Sequence, residues 1–185
     1  MRHLLLSSLA ALAWLGVFGL QQTFAAPDPD QSDKPNFSGI WTLDLRASMS
    51  LDPLMTQIGA TFFDRKYAAW TKLKATLEQT DGILRVATRG PGFALDQTLY
   101  LDGRSDSSDL ELLGATSVNP KTTWSRDYKQ LLETNHIRTK QGQDGQLTIK
   151  RYLMDDGQTL TVAYTLKLTT EPDEISARQI WHKQA

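Results

Sequence analysis

The sequence predicts an all-β protein, a ten-stranded antiparallel up-and-down barrel with helices only between its first and second strands. Three observations predict it. Apolar and polar residues alternate with period two through most of the chain after Phe37. Turn signals separate these stretches at Asp81-Gly82, Gly90-Pro91-Gly92, Asp102-Gly103, Asp144-Gly145 and Asp156-Gly157. Only one region has helical spacing. So many consecutive strands must either close on themselves or leave edges exposed, and closure removes the edges. A barrel of this width cannot fill itself with side chains, so it encloses a cavity.

The elements follow in order. Residues 1–25 have the layout of a secretory signal peptide: a basic start at Arg2 and His3, an apolar run over 4–20, and small residues before a cut after Ala25. The run reaches only the short end of what spans a bilayer, which favours cleavage over anchoring. Residues 26–36, rich in Pro, Asp and Ser, read as a flexible tether, and 37–185 as the barrel domain. Trp41, Leu43 and Leu45 share one face of the first strand. A lid follows, with Asp52 as its cap, Pro53 in the first turn, and Leu54, Met55, Ile58, Phe62, Ala69 and Trp70 at helical spacing. Gly59 divides it into two short helices. Strands are expected over 73–79, 83–89, 95–101, 110–113, 122–128, 130–138, 147–153, 159–168 and 175–182, with 104–119 the least readable stretch.

Charge and composition narrow the function. The net charge is −1, with basic residues scattered among acids, so no field draws the chain to nucleic acid or anionic lipid. There is no cysteine, which excludes disulfides, thiol catalysis and thiolate metal sites. His136 and His182 belong to no metal-spacing motif, and no nucleophile-elbow or Walker sequence is present. Asp155-Asp156 is a carboxylate pair only in the sense that Asp favours hairpin turns. No catalytic residue, metal or cofactor is assigned.

Alternation places particular side chains inside. Leu147, Ile149, Arg151 and Leu153 share a face, as do Leu160, Val162, Tyr164, Leu166 and Leu168. Arg151 and Tyr164 therefore point into the barrel. A buried guanidinium requires a partner. Two readings are open: Arg151 awaits the acidic head of a ligand, or it pairs with an internal acid or cavity water. Trp41 closes the barrel base by packing. Met55, Ile58 and Phe62 on the lid, with Phe93 after the Gly90-Pro91-Gly92 turn, either line a ligand portal or simply pack the lid on the barrel.

The chain also resembles a family. Phe37-Ser38-Gly39-Ile40-Trp41 is similar to the opening F-x-G-x-W of intracellular fatty-acid-binding proteins, within the wider calycin group that includes lipocalins. Asp52-Pro53-Leu54-Met55, Gly59 and Arg65-Lys66 keep that family's order through the lid. The likeness resumes at Thr148-Ile149-Lys150-Arg151 and at Ala177-Arg178. The resemblance implies a calycin-type barrel with a helix-turn-helix lid and a fatty acid or similar molecule inside. In that family two arginines and a tyrosine hold the ligand carboxylate. Arg151 and Arg178 fall on the arginine positions, and the tyrosine position, two residues later, holds Ile180; Tyr164 is placed to supply that hydroxyl. Selectivity for a long-chain acid over its ester or alcohol follows from this placement. The family is mostly cytoplasmic, so the signal layout points to an exported bacterial relative. Haem would need an inward histidine, and His182 shares the parity of Arg178 but lies at its strand's end.

The expectation is an exported, periplasmic or secreted monomer that holds a small apolar or amphipathic ligand, without nucleic acid or membrane insertion after cleavage. A structural or protein-interaction barrel without ligand is the alternative, and an enzyme on the same scaffold the third reading.

Overall fold

In the structure, a computed structural model describing residues 34–105, 110–112, 115–154 and 156–185, alternation is converted into one continuous antiparallel ladder. The expected signal peptide and residues 26–33 of the tether lie outside the described residues, as do Leu113 and Asp155. Strand β1 (Gly39–Asp44) turns Trp41 and Leu43 inward and pairs on one side with β2 (Lys74–Gln79) and on the other with β11 (Ile175–Lys183). From β2 the sheet continues through β3 (Ile83–Gly90) to β4 (Phe93–Tyr100). From β11 it continues through β10 (Thr159–Leu168), β9 (Asp144–Leu153), β8 (Leu131–Arg138) and β7 (Ala115–Trp124) to β5 (Asp102–Ser105). That path has ten strands, and the three-residue β6 (Leu110–Leu112) is added on β7. The barrel is nearly closed: among the described residues the ladder ends at β4 and β5, which follow each other in the chain.

The inner face forms one apolar core, running from Phe37 and Trp41 through Leu84, Leu131, Leu147 and Ile149 to Leu166 and Trp181. Trp41 closes the base as expected. Its indole N–H donates to the Phe37 carbonyl at 2.9 Å, and Phe37 stacks on Trp124 with centroids 6.1 Å apart. Residues 34–36, at the end of the expected tether, are fastened to this base. Gln79 donates to the Pro35 carbonyl, and the Lys34 ammonium sits 4.6 Å from the Tyr128 ring centroid.

The lid consists of two helices, α1 (Asp52–Gln57) and α2 (Phe62–Trp70), separated at Gly59, whose φ of +86° an L side chain rarely adopts. Asp52 is not the cap of α1. Leu51 occupies that position without a side-chain hydrogen bond, and Asp52 lies in the first turn, where its charge favours the helix dipole. The stronger start belongs to α2, where Thr61 and Asp64 form a capping box. Leu54, Met55 and Ile58 are buried, but α2 buries none of its residues, so Phe62 and Trp70 are exposed despite their spacing.

Three strand boundaries differ from the sequence reading. Asp102-Gly103 is not a turn between strands but opens β5, with Gly103 at a φ of +79°. Asp144-Gly145 is not a turn; it opens β9, and the reversal lies at 139–143. Gly145 is there for close approach, since a Cβ would lie 2.7 Å from both Leu168 Cδ2 and the Lys167 carbonyl. Strand β7 begins at Ala115 and ends at Trp124, so the expected strand over 122–128 mostly becomes a turn held by Ser125 and Asp127. Pro120 inside β7 obscured it. The chain accommodates that residue with a bulge between Val118 and Lys121 and a left-handed φ of +51° at Asn119.

Candidate functional site

A cavity of about 380 Å³ lies beneath the lid. One wall comes from β2, β3 and β4 through Ala75, Leu77, Val86 and Leu95. The facing wall comes from β9, β10 and β11 through Ile149, Leu160, Val162 and Trp181. The roof is Leu51 and Met55 with Tyr67, Ala68 and Thr71 of the second lid segment. Tyr67 donates its hydroxyl to the Pro91 carbonyl, tying α2 to the β3–β4 turn beside Phe93.

The lid, β3 and β4 contribute Asp64, Thr71, Thr88 and Gln97 to the lining, and the buried polar groups lie on the β9–β11 side. Arg151 donates through Nη1 to Glu133 Oε2 at 2.6 Å, and the two side chains are only 8% and 1% exposed. The other Glu133 oxygen accepts from Asn135 Nδ2 at 3.1 Å, and Asn135 Oδ1 accepts from the Ser117 hydroxyl at 2.7 Å. A hydrogen-bonded chain thus crosses β9, β8 and β7 within the barrel. Beside it, Tyr164 donates its hydroxyl to Gln179 Oε1 at 2.9 Å. Burial pushes the Tyr164 hydroxyl up to about 12, with Arg151 lowering it and Glu133 raising it, so Tyr164 is neutral across the physiological range. The surface Tyr164 retains faces the cavity.

Register explains this convergence. Val162 of β10 stands opposite both Arg151 of β9 and Gln179 of β11, while Tyr164 lies two residues further on the same face. Glu133 stands opposite Ile149, one inward position from Arg151.

The sequence-predicted site residues divide accordingly. Arg151, Tyr164, Met55 and Phe93 line the cavity, with Phe93 at the rim and 37% exposed. Ile58 is buried in the core below the lid, outside the cavity wall, and its carbonyl accepts from Lys140 N. Phe62 is 58% exposed, also outside the wall, and packs edge-on against Phe63. Arg178 corrects the expectation most clearly: it lies on the outer face, exposed, because β11 turns Ala177, Gln179 and Trp181 inward. The inward register is one residue out of step with the resemblance, so Gln179 and Trp181 occupy the places assigned to Arg178 and Ile180. His182 is exposed for the same reason, with Nε2 3.3 Å from Asp44 Oδ2. Asp156 accepts from its own turn at Gln158 and Thr159, as hairpin chemistry predicts. Among the described residues no three His, Cys, Asp or Glu side chains form a metal-binding group.

Sequence reasoning missed Glu133, Gln179, Trp181 and Tyr67. Alternation alone puts Glu133 on the inward face with Leu131, Asn135 and Ile137, but not beside Arg151, which takes the β8–β9 register.

The strand order, the lid after the first strand and the cavity beneath it define a calycin-type barrel. Among solved structures this chain shares the fold of fatty-acid-binding proteins. Echinococcus granulosus fatty-acid-binding protein 1 superposes with a TM-score of 0.59 at 16% identity, over 80% of this chain and 98% of that one. Caenorhabditis elegans lipid binding protein 8 gives 0.58 at 12% identity, over 80% and 95%. The Schistosoma mansoni fatty acid binding protein, solved in complex with arachidonic acid, gives 0.57 at 16% identity, over 80% and 96%. At these identities the likeness carries the fold. No family model and no curated protein sequence matches the chain.

Proposed function

We propose that this chain is an exported, monomeric carrier or sequestering protein that binds one small apolar or amphipathic molecule, a fatty-acid-like lipid, and performs no chemistry on it. The carrying observation is the cavity: about 380 Å³, apolar on most of its wall, roofed by a lid, with its buried polar side chains Arg151, Tyr164 and Gln179 along β9 to β11. That volume falls in the range of about 300–1,000 Å³ typical of small-molecule sites. The arachidonic acid complex of the Schistosoma protein supports the same occupant class on this fold. Affinity is attainable: a micromolar complex needs about −8 kcal/mol, a modest demand per atom for a lipid-sized ligand. A titratable cluster in which Arg151 already holds Glu133 and Tyr164 stays neutral suits holding a ligand rather than transferring protons.

Native mass spectrometry of protein from its own host tests the reading, followed by delipidation and titration with a panel of long-chain lipids. A co-purifying lipid, or one-to-one saturable binding, is expected. A barrel that arrives empty and binds no member of the panel overturns it. Intact mass of the exported protein tests export, with a mature N-terminus at Ala26 expected and a full-length, membrane-retained product opposing it.

A further inference from the structure

We infer that the cavity selects lipids with a neutral hydrogen-bonding head, an alcohol or an ester, over free carboxylates. The inference rests on the lipid-binding reading and specifies its ligand. Among the described residues Arg151 is the only cation lining the cavity, and its charge is already matched by Glu133 at 2.6 Å. Both Glu133 oxygens are engaged, one by Arg151 and one by Asn135, so this acid is fixed behind Arg151. The wall therefore offers a dipole rather than a net positive charge. An arriving carboxylate would lose its water, share a guanidinium that already has an anion, and face the negative charge of Glu133.

A neutral oxygen meets none of these costs. A guanidinium carries five N–H donors, and the bond to Glu133 uses Nη1. Tyr164 spends its proton on Gln179, which leaves the Tyr164 oxygen as an acceptor for a ligand hydroxyl. Trp181 lines the cavity, and its indole N–H is buried without a hydrogen-bond partner. A buried donor of this kind is satisfied by an oxygen that the protein does not supply. The outward position of Arg178 removes the second cation that a carboxylate site would use.

The test uses the delipidated full barrel and three ligands of one chain length: palmityl alcohol, methyl palmitate and palmitic acid. Each is titrated at neutral pH against an environment-sensitive dye displaced from the cavity. The alcohol and the ester should bind at least about tenfold more tightly than the acid. Glu133→Gln keeps the shape and the Asn135 contact but removes the anion, leaving Arg151 unmatched; the order should then reverse in favour of the acid by about tenfold or more. Native protein that prefers the acid overturns the inference while leaving lipid binding intact. So does a folded Glu133→Gln protein that keeps the native order. If none of the three ligands binds the native protein, the lipid-binding reading itself falls. The native comparison is decisive without any variant, should Glu133→Gln fail to fold.

Discussion

Removing Arg151 alone should cost the empty barrel far more than removing Arg151 and Glu133 together. Arg151→Met leaves the Glu133 carboxylate with Asn135 as its remaining polar contact, at a position only 1% exposed. Truncating one partner of a buried pair typically costs about 3–5 kcal/mol. In a barrel of this size that lowers the melting temperature by roughly 10 °C. The double variant Glu133→Leu/Arg151→Met removes both charges and their desolvation. Such replacements are often neutral or stabilising by about 1–4 kcal/mol. Against this, Asn135 loses its acceptor, a penalty of about 1–3 kcal/mol, so the double variant should lie within about 2 kcal/mol of native. Urea unfolding followed by tryptophan fluorescence reads all four members of the cycle. If Arg151→Met costs under about 1 kcal/mol, or if the single effects add in the double variant, the pair is not the coupled, desolvated unit described above.

Three further outcomes are expected. Phe93→Ala should speed ligand exchange severalfold while costing less than the roughly 3–5 kcal/mol of a fully buried Phe, because Phe93 sits at the cavity rim; Phe62→Ala should change neither, and an equal effect on exchange would count against this assignment of the rim. Thr61→Ala removes the capping box and should destabilise α2 by about 1 kcal/mol. Because no residue of α2 is fully buried, hydrogen exchange should accelerate across 62–70 with global unfolding nearly unchanged, and a matching global loss would mean that α2 is tightly coupled to the barrel. Tyr164 has a folded value of about 12 against 10 when unfolded. Below pH 10 both states are protonated; between 10 and 12 the unfolded state ionises first, so stability falls by up to about 1.4 kcal/mol per pH unit. Tyr164→Phe should flatten this alkaline limb relative to native, and identical limbs would refute the shift.

Much of the barrel was legible because its strands are half-buried. Leu147 to Leu153 and Leu160 to Leu168 alternate so regularly that Arg151 and Tyr164 could be aimed inward from period alone. Boundaries failed where one residue served two purposes. Gly145 looks like a turn residue and is a close-approach residue, and Pro120 looks like a strand breaker and sits in a bulge. Arg178 failed differently. A one-residue offset on β11 flips every side chain to the other face, so a resemblance that was locally plausible reversed the direction of the residue it assigned. The partner of Arg151 was out of reach of local reading, because Glu133 lies on a different strand and only the β8–β9 register brings the two together.

The seam between β1 and β11 bears on when the protein becomes competent. Trp41 stands opposite Lys183, so the first strand waits for the last to be made before one of its edges is covered. Gln179 and Trp181, which complete the cavity wall, belong to that last strand. Contacts spanning nearly the whole chain form slowly, since loop closure must precede them. A chain still lacking β11 therefore lacks part of the cavity wall. On the proposed function, binding would belong to the finished barrel and not to the growing chain.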